Sequence, residues 1–343
     1  MKFGLGQFTL QRPPWDTRSF SEIYSDFLRL AELAEEVGFD SIWFAEHHGA
    51  SDGYNPSLLP MMSAVAARTE RLEIGTGVIL APFHNPIRLA EDAAVVDLIS
   101  NSRVTIGLGL GWADHEYKMF GVEKKARGKR LEEIVDILRL AWSQERFGFH
   151  GRFYDLDDAS VEPKPQRPIP IFLGGNEDKA LQRAAMMADG HFPPSTTGPQ
   201  SGVERAKKIM DIRNSLAIEG PFRYGMFLPI GLGADADDAW ESIKGGLMHV
   251  QGAYALWAMG VKDVANASEF AATNFEPTVR ERALLGTPEQ IVDALRPAIT
   301  EIDSLGFSDT FISAIIATVG MPFDVAADRV RTYAERVIKP LRG

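Results

Sequence analysis

Apolar positions along the chain fall into short continuous runs separated by stretches with helical spacing. A run at residues 3–8 is followed by Ile23, Phe27, Leu30, Ala31, Ala34 and Val37, one face of a helix over 21–37, with Gly38 at the C-cap. The next runs, at 41–45, 72–78 and 104–110, are each followed by a helical pattern, at 56–68, 86–100 and 127–147. Four strand–helix units thus fill the first half. Strands five to eight are read at 169–173, 190–192, 224–232 and 310–316, with helices at 179–188 and 323–337. Strands apolar on both faces belong to a parallel sheet covered by helices. Eight strands with intervening helices and no linker rich in Pro, Gly or Ser at the midpoint predict one (β/α)8 barrel, a TIM barrel, over residues 1–343.

Two stretches interrupt that pattern. Residues 148–167 precede strand five and are read as a structural excursion on the amino-terminal face or flank. Residues 244–285 follow strand seven, with helical character at 247–259 and then a polar passage rich in Ala and Asn. An insertion there lies over the carboxyl face of a barrel, and Gly245-Gly246 reads as its hinge; a lid and an oligomer contact are the two readings. It ends on Thr287-Pro288-Glu289-Gln290, a capping box with proline at N1.

Composition narrows the function. A net charge of -11 disfavours nucleic acid and anionic membranes as partners, and the absence of cysteine removes disulfides, thiolate catalysis and zinc–thiolate sites. The chain opens directly on a strand, so a cytoplasmic protein is expected.

The strongest chemical signal is Ser41-Ile42-Trp43-Phe44-Ala45-Glu46-His47-His48, a buried strand that ends in three ionisable groups. In α/β folds catalysis is assembled at the carboxyl ends of strands. Alternation puts Trp43, Ala45 and His47 on one face and Phe44, Glu46 and His48 on the other, so His47 and His48 are expected to point opposite ways. Phe172-Leu173-Gly174-Gly175-Asn176 offers backbone amides to an anion at a strand end, although a plain turn reads the same way. Arg88 with Glu91 and Asp92 is read as an internal ion pair anchoring a helix, or as a ligand contact.

Other signatures fail on spacing. Gly107-Leu108-Gly109-Leu110-Gly111-Trp112 has tryptophan where a dinucleotide fingerprint needs glycine, and Met119 stands where His115-Glu116 would need a second zinc histidine. Gly49-Ala50-Ser51-Asp52-Gly53 matches a nucleophile elbow, leaving a serine hydrolase on Ser51 as the distant alternative.

Taken together, the run 40–48, Ile74 to Val78, His84 to Asp92, Gly107 to Gly111 and Pro170 to Gly175 resemble the bacterial luciferase-like monooxygenases in order and spacing. Ala188-Asp189-Gly190 and Gly286-Thr287-Pro288 extend the match. The resemblance implies a barrel that holds reduced FMN, or in a large branch the deazaflavin F420, at its carboxyl mouth. It implies a flavin-dependent monooxygenase acting with dioxygen on a small organic substrate, or alternatively an F420-dependent hydride-transfer oxidoreductase. His47 and His48 match the catalytic histidine and its neighbour. Gly77 and Val78 match positions beside the flavin ring, His115 and Glu116 cofactor contacts, and Gly174, Gly175 and Asn176 the phosphate loop. No metal is implied. A separate flavin reductase and a homodimer are expected, and Phe8, Phe44, Trp112 and Phe192 are the expected apolar walls. Gly109 and Leu110 replace a reactive cysteine and a phosphate-binding arginine of luciferase itself, so light emission is not implied and other groups must hold the phosphate.

Overall fold

The computed structural model describes residues 1–193 and 198–343. In chain order the first half contains β1 (Lys2–Phe8), α1 (Phe20–Glu36), β2 (Ser41–Phe44), α2 (Leu58–Ala66), β3 (Glu73–Thr76), β4 (Ile79–Leu80), α3 (Pro86–Ser100), β5 (Val104–Gly109), α4 (Asp114–Phe120) and α5 (Arg127–Ser143). A hairpin of β6 (Phe147–His150) and β7 (Asp155–Ala159) follows, then β8 (Ile171–Gly174), α6 (Asp178–Met187), β9 (Gly190–Phe192) and α7 (Gly198–Ser215). The last part holds β10 (Arg223–Leu232), α8 (Ala236–Ala258), α9 (Ala267–Glu281), β11 (Leu284–Gly286), α10 (Pro288–Asp303), β12 (Asp309–Ile315) and α11 (Phe323–Tyr333).

Parallel pairing runs β1-β2-β3-β5-β8-β9-β10-β12 and closes on β1, an eight-stranded TIM barrel as expected. The chain signals its own element ends. Ser19 and Glu22 close a capping box on α1, Asn85 caps α3 ahead of Pro86, and Thr287 and Gln290 form the box read from the sequence on α10.

Alternation along the strands builds two cores. Ile42 and Phe44 face outward into the strand–helix layer, where Phe44 packs edge-on against Phe27. Trp43 faces inward and, with Phe172, Phe192, Phe227 and Phe311, fills the barrel interior. Room for those rings comes from glycine on neighbouring strands: a Cβ on Gly75 would sit 2.0 Å from the Trp43 ring, and one on Gly225 1.9 Å from that of Phe192. The interior is therefore a solid aromatic plug.

Residues 148–167 form the β6–β7 hairpin ahead of β8 and extend the chain into that strand's amino end. The insertion after the seventh barrel strand consists of α8, α9 and β11, and β11 pairs with β10. Gly245 and Gly246 lie inside α8 and so are not a loop hinge; Gly246 lets the helix approach Thr318, which a Cβ would meet at 2.5 Å. The polar passage is the helix α9, which buries Ala267, Ala271 and Val279, small residues whose packing against α8 needs little apolar bulk. The helix α7 has no counterpart in the sequence reading, since its buried side includes only Val203, Ala206 and Ile209 as larger apolar marks and also Arg213. Among the described residues no helix is long and apolar enough to cross a membrane.

Candidate active site

A cavity of about 850 Å³ opens at the carboxyl ends of the barrel strands. It is lined by Gln7 near the end of β1, Glu46 and His47 after β2, Gly77 and Val78 after β3, Gly109 to Trp112 from the end of β5, Gly174 to Asn176 from the end of β8, Phe192, Phe227 and Ala317. Every barrel strand contributes, and α8 forms one side with Gly246, Leu247, Val250, Gln251 and Tyr254. These α8 positions share one helical face. The volume suits a cofactor with a small substrate.

The end of the cavity that holds His47 is built on the loop that leaves β2. His47 is 6% exposed, and its Nδ1 lies 2.9 Å from Oε1 of Glu116, a carboxylate fully buried on α4. The same oxygen accepts the backbone N–H of His48 at 2.8 Å, so it is an acceptor, His47 carries its proton on Nδ1, and Nε2 is left for the cavity. Tyr54, Trp112, Tyr254 and Trp257 surround the imidazole at ring separations of 4.8–6.0 Å. The hydroxyls of Tyr54 and Tyr254 are 2.7 Å apart. Burial above all raises both phenols, Tyr254 to about 12, so they stay protonated and hydrogen-bond near neutrality.

His48 points away from His47, as alternation predicted, although the regular strand ends at Phe44. It packs against Phe120 and Phe83 and lies 3.0 Å from Glu46 Oε1. Glu46 also meets His84 Nε2 at 2.8 Å and accepts from the backbone of Leu80. Burial alone would raise the Glu46 carboxyl, but His48 and His84 outweigh it and hold the group down at about 2. His115 reaches the backbone carbonyl of His48 at 3.2 Å. Of the predicted residues, His47, Gly77, Val78, Gly174, Gly175 and Asn176 line the cavity; His48, His115 and Glu116 stand behind it.

Gly77 and Val78 are joined by a cis peptide bond, and the Gly77 carbonyl accepts the Gln7 amide. Across the mouth from β2, the turn after β8 leads into the amino terminus of α6. Gly175 there has φ +134°, and a Cβ on it would meet Ala180 at 2.5 Å. Lys125, Arg127, Lys179 and Arg183 line the same end. A helix amino terminus with open amides and four cations suits a phosphate. To the backbone amides expected from the sequence the fold adds cations from α6 and from the start of α5 with the turn before it.

Three readings change. Phe44 is no cavity wall, whereas Phe8, Trp112 and Phe192 are, joined by Phe227. Arg88 with Glu91 and Asp92 is an exposed pairing within α3, neither an internal anchor nor a cavity group. The Ser51 hydroxyl contacts the Lys262 carbonyl oxygen at 3.5 Å, and the nearby His249 is held by Asp52 at 2.8 Å. Among the described residues no histidine hydrogen-bonds Ser51, so the elbow has no base.

The luciferase-like monooxygenase profile matches residues 1–339. The chain belongs to the luciferase-like monooxygenase family. Within this family the chain is 29% identical to the FMNH2-dependent dimethylsulfone monooxygenase of Pseudomonas putida, over 83% of the chain and 80% of that protein. It is 32% identical to the F420-dependent glucose-6-phosphate dehydrogenase of Amycolatopsis mediterranei (strain U-32), over 57% of the chain. The chain spans 64% of that relative's length, and 57% and 52% of two further dehydrogenases of that name. Monooxygenase RslO1 from Streptomyces bottropensis superposes with a TM-score of 0.80 at 27% identity, covering 99% of both chains. Luciferase-like relatives thus use either reduced FMN or F420, and the oxidoreductase class displaces the hydrolase alternative.

Proposed function

We propose that the protein is the oxygenase of a two-component system, a reduced-FMN-dependent monooxygenase that uses dioxygen on a small, largely apolar organic substrate. One observation carries the proposal: a single cavity joins a phosphate cradle after β8 to the His47–Glu116 pair after β2, with aromatic walls between. Relatives that match most of the chain, among them the dimethylsulfone monooxygenase, support it.

Gly174, Gly175 and Asn176 with Lys179 and Arg127 would hold the phosphate, and Gly77 and Val78 would lie against the ring system. When bound, the reduced flavin supplies the electrons that activate dioxygen. The protein's own part is to orient, exclude water and move a proton. Glu116 fixes the tautomer of His47, whose Nε2 takes or returns a proton at the substrate. Tyr54 and Tyr254 offer hydroxyl groups beside it. Phe8, Trp112, Phe192 and Phe227 keep the site dry. The helix pair α8–α9 is proposed as the lid, since α8 carries Tyr254 into the cavity.

A second reading, F420-dependent hydride transfer with His47 as proton donor or acceptor, is favoured by the dehydrogenase relatives. Anaerobic fluorescence titration with reduced FMN and with reduced F420 separates the two. Tighter binding of reduced FMN, with substrate-dependent oxygen consumption, is expected; tight binding of F420 alone would assign the second reading.

A further inference from the structure

Beside the cavity, three metal-ligating atoms converge: Glu46 Oε1, His48 Nε2 and His84 Nε2 lie within 4.8 Å of one another. The carboxylate oxygen is 3.0 Å from the first imidazole nitrogen and 2.8 Å from the second. Adjacent ligands on a cation with bonds of about 2.0–2.1 Å sit roughly 3 Å apart. The two separations to the carboxylate therefore suit one ion, and the two imidazole nitrogens, within 4.8 Å of each other, would turn toward it. His84 also hydrogen-bonds the carboxylate. His48 Nε2, 3.0 Å from that oxygen, is buried and has no well-aligned hydrogen bond among the described residues.

The surroundings hold these atoms in place. The second Glu46 oxygen accepts the backbone N–H of Leu80, which fixes Oε1 as a single ligand atom. Phe83 and Phe120 clamp the His48 ring edge-on. His84 follows the short 3-10 turn Ala81–Phe83, and its side chain is 31% exposed, which leaves a path for an ion and room for a water ligand. Two imidazoles with one carboxylate suit a zinc-class ion, whereas magnesium and calcium require mostly oxygen ligands.

We propose that Glu46, His48 and His84 form a binding site for a zinc-class divalent cation. The ion ties the loop that carries His47 to the connection between β4 and α3. The site is independent of the choice between flavins.

Calorimetric titration of the metal-free protein with zinc chloride tests it, with magnesium chloride as the comparison. One zinc ion per chain is expected, weakened at least tenfold by His84→Gln and by His48→Gln, and unaffected by His150→Gln in the exposed His150–Asp155 pair. Circular dichroism of each variant checks the fold; if His48→Gln unfolds, the half-exposed His84→Gln decides alone. Absence of saturable zinc binding, binding that survives the His84 change, or equal affinity for magnesium would overturn the proposal.

Discussion

His47 is fixed through one ring nitrogen, and the proposed proton transfer uses the other. Replacing it with alanine is expected to leave the fold intact and lower turnover about 10²- to 10⁴-fold, the usual contribution of a placed acid or base, as steady-state kinetics would show. His48→Ala should cost less turnover, because His48 stands outside the cavity wall; equal losses would put both in the same role. His191 tests a different point. Burial above all pushes this imidazole down to about 4, although its Nδ1–H donates to the Leu173 carbonyl. The unfolded chain, with a pKa near 6.5, binds the proton more readily. Stability from this group is therefore complete above about pH 6.5 and is lost as pH falls to about 4, on the order of 3 kcal/mol. Chemical denaturation at pH 7.5 and pH 4.5 should show that loss shrinking in His191→Asn. At this scale His47 was legible because three ionisable groups end an apolar run. Tyr54 and Tyr254 were not, since 200 residues separate the two hydroxyls. The stripe Leu247, Val250, Gln251 and Tyr254 was the available signal, one helical face carrying both polar and apolar groups.

Among the elements, most barrel strands and the capped helix starts were readable to within about two residues, because continuous apolar runs and boundary residues such as Thr287 mark them. Elements held by small residues were not. The helix α9 packs through alanines, and Gly252 on α8 touches its backbone: an added Cβ would lie 1.9 Å from the Ala267 carbonyl oxygen. Gly252→Ala must push the two helices apart. A loss of about 1–3 kcal/mol in denaturation midpoint experiments is expected, the common cost of overpacking, together with a raised KM, because Tyr254 moves with α8. An unchanged KM would detach the helix pair from substrate binding. If the pair acts as a lid, limited proteolysis should cut the exposed turn at 260–263 first, and reduced FMN should slow that cut. Equal cutting rates with and without cofactor would count against closure.

For the whole molecule, the barrel was legible from the count of strand–helix units, while the joining of cradle and histidine in one cavity required the closed ring of strands. In the proposed function that cavity takes one cofactor, and the sequence has no nicotinamide fingerprint. Purified protein given NADH and FMN is expected to consume almost no NADH, and an added flavin reductase should start turnover; rapid NADH oxidation by the chain alone would refute the two-component proposal. The aromatic plug adds a constraint on traffic. Trp43 and its four phenylalanines fill the barrel beneath the cavity and close it from the amino-terminal side, so the mouth beneath α8 is a shared doorway for everything that enters or leaves. A bulky cofactor cannot pass a substrate already seated above it. Binding should follow a compulsory order, flavin first, and excess substrate should slow flavin loading when the two are mixed together.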